Sequence, residues 1–195
     1  MKELFLDVDG VILDFEGALV DFVRDEYIND LPKDYVLQSW EISDEFKSLD
    51  IEEVWTRFVN GKRFTRLDLL VDSDSFNEIS SRYPIHFVTN IPFAQFDSRS
   101  ENLSYHQLNY KQLHLAGHFD FGDPDYPRKS DIIKKIHKDG NEIIFLDDHP
   151  KNCQEIKEEF PESKVYLMTR PHNREAKKTG WIRVDDWAEF LDQIN

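Results

Sequence analysis

The sequence predicts an α/β fold built on a parallel sheet, and three observations carry that expectation. Four short apolar runs, Leu4 to Val8, Ile85 to Thr89, Ile143 to Leu146 and Val165 to Met168, have the length and continuous hydrophobicity of strands buried on both faces. The segments between them mostly show helical periodicity, and strands that alternate with helices are joined by crossovers into parallel sheets. Reactive side chains stand at three of the four carboxyl ends: Asp7 and Asp9, Thr89 and Asn90, and Asp147 and Asp148. Parallel sheets bind ligands in the crevice beyond those ends.

The first run, LFLDVDGVILD, places two carboxylates two residues apart and follows them with glycine. In an extended strand such residues point to one side, so Asp7 and Asp9 are expected to face a single crevice. Neighbouring carboxylates resist being ionised together, and a hard divalent cation with oxygen ligands relieves that repulsion. Gly10 allows a sharp turn beside it. The same pair also fits solvated acids at a strand end, so the rest of the chain has to decide between them.

The first two strands lie too far apart in sequence for a simple crossover. Phe15, Ala18, Leu19, Phe22 and Val23 recur at helical spacing, as do Ile51, Val54, Trp55, Phe58 and Val59, with Asn60-Gly61 as a stop. A mostly helical subdomain over residues 15–73 is therefore expected, leaving 1–14 and 74–195 as the core. The run DEFKSLDIEE reads as a solvated acidic helical region. Ser75 with Glu78 and Ser98 with Glu101 have capping-box spacing at the starts of two helices. Further helices are expected after Ser130, around Cys153, Ile156 and Phe160, and after Asp185 and Asp186, where Trp187, Phe190, Leu191 and Ile194 form an apolar stripe.

Length and composition narrow the function classes. A chain of 195 residues, 39% hydrophobic and 13% aromatic, can bury a substantial core. With 39 acidic against 24 basic residues the net charge is −15, which opposes binding to nucleic acid polymers or anionic membranes. The lone Cys153 excludes an intrachain disulfide and fits a reducing compartment as an inert buried thiol. With no apolar stretch of membrane-spanning or signal-peptide length, a soluble cytoplasmic protein is expected.

Taken together, these motifs resemble the haloacid dehalogenase superfamily, and specifically its phosphatases. DVDGVILD is similar to the first motif, Thr89 in FVTN to the second, Lys129 in PRKSD to the third and Asp147-Asp148 in FLDDHPKN to the fourth. The resemblance implies a Rossmann-like three-layer α/β/α core with a small helical cap inserted after the first strand. It implies Asp7 as nucleophile and Asp9 as general acid and base. Mg²⁺ would be held by the Asp7 and Asp147 side chains and the Asp9 carbonyl, with Asp148 orienting the metal shell or ligating directly. Thr89, Asn90 and Lys129 would bind phosphate, with the adjacent Arg128 as a second candidate. Asp9 favours phosphate over halide chemistry, since dehalogenases generally lack that acid.

DVDGVILDF, LDDHP, LMTRPHNR and RVDDW further resemble the 5'(3')-deoxyribonucleotidase family. That likeness implies a small phosphorylated substrate, a nucleoside monophosphate, with Phe15 lining the base pocket. Trp40 and Trp55 could add stacking surface or belong to the core of the cap. One departure is Pro127, where the family often carries an arginine two residues before the third-motif lysine. A sugar-phosphate phosphatase and a non-catalytic metal-dependent binding module remain the alternatives. His114 and His118, four apart, could share a helix face, while His149 and His172 sit near candidate site loops.

Overall fold

A computed structural model describes residues 1–118, 126–177 and 179–195. Six strands, β1 (Lys2–Leu6), β2 (Ile85–Thr89), β3 (Gln112–Leu115), β4 (Glu142–Asp147), β5 (Lys164–Met168) and β6 (Ile182–Val184), form one parallel sheet in the order β3-β2-β1-β4-β5-β6. The chain thus winds outward from β1 on both sides, which leaves a crevice beyond the carboxyl ends of the central strands. Register completes the placement: Leu6 pairs with Leu146 and with Phe87, so Asp7, Asp147 and Thr89 emerge at neighbouring points on the same edge.

The helices are α1 (Phe15–Glu26), α2 (Ile42–Glu45), α3 (Ile51–Val59), α4 (Ser73–Arg82), α5 (Phe96–Tyr105), α6 (Lys129–Ile136), α7 (Pro150–Glu159) and α8 (Trp187–Ile194). Successive strand residues alternate between the two layers they form. Leu4, Leu6, Ile144 and Leu146 pack with Phe76 of α4 and Phe190 of α8. Phe5, Ile143, Phe145 and Val165 pack on the other face with Ile133 of α6 and Ile156 of α7. Each fully buried side chain of this size contributes about 1.5–3 kcal/mol of transfer free energy, so a sheet covered on both faces is strongly favoured.

The segment inserted between β1 and α4 shares the core of the first face. Leu19 and Val23 of α1, Val54 and Phe58 of α3 and Phe64 all belong to that continuous apolar cluster. Its two ends are stitched together, since the Asp14 amide donates to the Asp68 carbonyl at 2.9 Å and the Leu70 amide to that of Ile12 at 2.8 Å.

Several local expectations change. β1 stops at Leu6 instead of Val8, because the Ile12 and Leu13 amides fold back onto the Val8 carbonyl at 2.8 and 2.9 Å. β3 and β6 were not anticipated; both are short and partly exposed, so their sequences lack a buried strand's apolar run. Asp72, not Ser75, caps α4, accepting from the Ser75 amide at 2.8 Å, and α5 begins at Phe96 without a side-chain cap. The acidic run is broken between α2 and α3, where Asp50 caps the Glu53 amide at 3.1 Å. His114 lies in β3, so it shares no helix face with His118 and stacks on His86 instead. Among the described residues no helix is long and apolar enough to cross a membrane.

Candidate active site

The loop after β1 is shaped by one glycine. Gly10 has φ +72°, and a Cβ there would lie 2.1 Å from Asp148 Oδ2. An alanine would suffer both the left-handed backbone penalty and a collision with a buried carboxylate. The loop and the Asp147-Asp148 pair therefore approach as closely as backbone allows. The Arg170 Nε–H reinforces the contact by donating to the Gly10 carbonyl at 2.5 Å.

Asp7, Asp147 and Asp148 converge here, with ligand oxygens all within 4.8 Å of one another. All three are buried, at 5%, 0% and 2% exposure. Lys129, at the start of α6, places its ammonium 2.9 Å from Asp7 Oδ1 and 2.8 Å from Asp147 Oδ2. The ammonium thus bridges two of the three carboxylates, while Arg170 is the cation that acts on Asp148. Burial pushes Asp148 well above the ordinary carboxylate range, and the Asp147 and Asp7 charges push it further. Burial also raises Asp7, against the pull of Lys129. For Lys129 burial disfavours the charge, yet the two carboxylates more than offset it, and its pKa lies above the usual lysine value. Asp148 Oδ1 is buried without a hydrogen-bond partner among the described residues. An all-oxygen donor set with uncompensated charge fits a hard divalent cation.

The surrounding side chains hold this set in place. His149 donates its amide to Asp147 Oδ1 at 2.7 Å, and Asn152 Nδ2 reaches Asp147 Oδ2 at 3.1 Å. Asn173 Nδ2 donates to the Asp148 and Met168 carbonyls, each at 2.7 Å. Thr89 Oγ1 at the end of β2 is buried and without a partner among the described residues, while Asn90 Nδ2 reaches the Gly117 carbonyl at 3.4 Å. Cys153 packs beneath Asp147; burial first, and then the Asp147 and Asp148 charges, push its thiol well above its ordinary value. It is no nucleophile at neutral pH.

Asp9 has a partner that the sequence did not show. Its carboxyl does not join the Asp7 cluster but turns to Arg99 of α5, whose Nη2 lies 2.6 and 2.7 Å from the two oxygens. Burial raises Asp9 to about 6, although Arg99 pulls the other way. Arg99 was invisible in the sequence. The buried face of α5 consists of Arg99, Asn102 and Leu103, so hydrophobic periodicity gives no hint that the helix packs inward there. Asn152 and Asn173 carried no signal either, beyond lying close to the acidic pair and to LMTRPHN.

The aromatic candidates separate into two groups. Phe15 opens α1 and packs against Trp55, Phe58 and Phe64, with ring centroids 5.5, 5.3 and 6.4 Å away. Trp55 is buried in the insert and lies 5.2 Å from the His118 ring. Trp40 is 42% exposed and outside the apolar core; it meets His149 and His172 edge-on at 4.3 and 5.0 Å. His172 in turn contacts Glu16 Oε1 at 2.6 Å and Asp148 Oδ2 at 3.4 Å. Arg128 stands away from the acidic cluster, on the surface, paired with Asp131 at 3.1 Å.

A model of the 5' nucleotidase, deoxy (pyrimidine), cytosolic type C protein family matches residues 1–195. The chain belongs to this family. It is therefore an enzyme of the phosphatase and nucleotidase class with a haloacid dehalogenase-like fold. Solved structures agree on that fold. A haloacid dehalogenase-like hydrolase from Streptococcus pneumoniae superposes with a TM-score of 0.63 at 15% identity, covering 100% of this chain and 99% of that one. The magnesium-bound hydrolase YfnB from Bacillus subtilis gives 0.61 at 16% identity, covering 100% and 98%. L-2-haloacid dehalogenase from Xanthobacter autotrophicus gives 0.57 at 14%, covering 87% and 78%. No individually curated protein matches the chain.

Proposed function

We propose that this nucleotidase-family chain hydrolyses nucleoside 5'-monophosphates with Mg²⁺ as cofactor, through an aspartyl phosphate formed on Asp7. The observation that carries the reading is the buried cluster of Asp7, Asp147 and Asp148, with the Lys129 ammonium between the first two. So much buried like charge is costly unless a cation and a phosphoryl group belong there.

The Asp7 and Asp147 carboxylates and the Asp9 carbonyl would hold the cation, with Asp148 orienting its shell. When bound, Mg²⁺ neutralises the carboxylates and the phosphoryl oxygens and so lets an anionic nucleophile meet an anionic substrate. Asp7 attacks phosphorus, forming the O–P bond as the ester O–P bond breaks. Asp9 gives its proton to the departing 5'-oxygen. Asp9 then takes a proton from the water that attacks the aspartyl phosphate, so inorganic phosphate leaves and both acids return to their starting states. Lys129 neutralises the transferring group as a point charge, while the Thr89 hydroxyl and Asn90 amide donate to its oxygens.

Residues 15–73 act as the cap of this site, with 1–14 and 74–195 as its core. Phe15, backed by Trp55, offers a ring surface for the nucleobase. Trp40 and His172 tie the insert to the core loops beside Asp148. A covered site and a net charge of −15 suit a small phosphomonoester better than a polymer.

Phosphate release from a panel of deoxyribonucleotides, ribonucleotides and sugar phosphates, with and without Mg²⁺, tests this. The expected result is Mg²⁺-dependent release from nucleoside monophosphates that falls by more than about a thousandfold in Asp7→Asn. A preference for sugar phosphates over every nucleotide would overturn the substrate, and metal-independent release would overturn the mechanism.

A further inference from the structure

The inward side of α5 and its two flanking residues carries a polar stripe that no strand-end motif explains. Gln95, Arg99, Asn102 and His106 follow one another at spacings of four, three and four, which is one side of a helix. Each of them meets the insert or the loop after β1. Gln95 Nε2 donates to Asn60 Oδ1 at 3.2 Å, Asn102 Nδ2 to the Leu67 carbonyl at 3.3 Å, and His106 Nε2 lies 2.7 Å from that same carbonyl. Arg99 joins both sides, since its guanidinium sits 4.6 Å over the Phe64 ring of the insert while Nη2 holds Asp9.

Arg99 is completely buried, and its Nε and Nη1 have no hydrogen-bond partner among the described residues. A buried arginine with idle donors is a poor way to gain stability, because an apolar residue of similar volume usually serves as well or better. What the arginine does supply is orientation. One nitrogen close to both oxygens, at 2.6 and 2.7 Å, holds the Asp9 carboxyl at a set distance from α5 and so sets where the acid stands. Asp9 itself lies three residues past the end of β1, next to a glycine with φ +72°, and its side-chain hydrogen bonds among the described residues come from Arg99.

We infer that Arg99 is a positioning residue for Asp9, clamping the acid in its proton-transfer orientation from a platform shared by α5 and the insert. This rests on the proton-transfer role of Asp9 under the proposed function. The acid matters most when the departing oxygen is basic. Proton transfer to the leaving group is needed for the alkoxide of a nucleoside and hardly needed for p-nitrophenolate. A loss of orientation therefore falls unequally on the two substrates, whereas a loss of general structure falls equally.

The experiment compares kcat/KM for a 2'-deoxyribonucleoside 5'-monophosphate and for p-nitrophenyl phosphate, with Mg²⁺, in the wild type, Arg99→Gln and Arg99→Lys. The expected result for Arg99→Gln is a loss on the nucleotide at least tenfold greater than on the aryl phosphate. Arg99→Lys, which keeps a charged donor, recovers part of that gap. In an Asp9→Asn background Arg99→Gln leaves the ratio unchanged, because the group it acts through is gone. If Arg99→Gln does not fold by circular dichroism, Phe64→Leu carries the test: it removes the ring beneath the guanidinium and is expected to shift the ratio in the same direction. Equal losses on both substrates, or a ratio change that persists without Asp9, overturn the role of Arg99 alone. No turnover of either substrate by the wild type overturns the nucleotidase reading, and this inference with it.

Discussion

Replacing Lys129 by methionine removes one charge from the centre of the site while keeping nearly the same side-chain length. The ammonium lies 2.9 Å from Asp7 and 2.8 Å from Asp147, and all three groups are buried. Breaking one member out of a buried ionic set costs about 3–5 kcal/mol, because the remaining charges stay desolvated and unpaired. For a domain of this size each kcal/mol moves Tm by about 2–4 °C, so metal-free Lys129→Met is expected to melt about 6–20 °C below the wild type. Mg²⁺ should narrow that deficit, since a divalent cation among the carboxylates replaces the missing charge. Both forms gain from the cation, so the deficit narrows by as much as the variant binds it more tightly, about 1.4 kcal/mol for each tenfold in Kd. The assay is thermal denaturation by circular dichroism in EDTA and in millimolar MgCl₂. Phosphate release should stay low in both solutions, because the charge on the transferring group is no longer neutralised. Equal deficits with and without Mg²⁺, or no deficit in EDTA, would refute the argument that the acids are assembled around positive charge.

Gly10→Ala forces φ +72° on a residue with a Cβ and drives that Cβ into Asp148. The expected outcome is a stability loss of about 1–2 kcal/mol from the backbone alone, and weaker Mg²⁺ binding by calorimetric titration; unchanged affinity would show that Asp148 plays no part in holding the cation. At the opposite end of the sheet, His86 is buried beside Glu3 at 3.5 Å. Burial lowers its pKa to about 4, against the pull of Glu3. The unfolded chain therefore binds a proton between about pH 6.5 and 4 that the folded chain does not, so His86 removes stability as the pH falls through that window. His86→Phe, stacked between Phe5 and His114, should flatten the acid side of a Tm-versus-pH curve; an unaltered curve sinks the assignment.

The parts of the fold legible in the sequence are those whose physics is local. β2, β4 and β5 are doubly buried and therefore read as continuous apolar runs, Thr89 and Asp147 close β2 and β4, and Asp7 directly follows β1. Edge strands β3 and β6 bury less, so their sequences do not announce them. Trp40 departs from the core reading: half exposed, its ring rests on His149 and His172, which enter from separate core loops, a placement that no local pattern announces.

By itself, then, the chain determined the four central strands, the helices α1 and α3 between the first two of them and the order in which the acids follow those strands, because hydrophobic periodicity and strand-end position are encoded within a few residues of each other. Tertiary structure alone decided how the two acids of DVDG divide. Asp7 turns to Lys129 and Asp147, and Asp9 turns to Arg99, ninety residues further along the chain. Two carboxylates cannot share one low-dielectric pocket without opposite charge, and which cation reaches which oxygen depends on helix packing across the sheet edge, which carries no signature in local sequence.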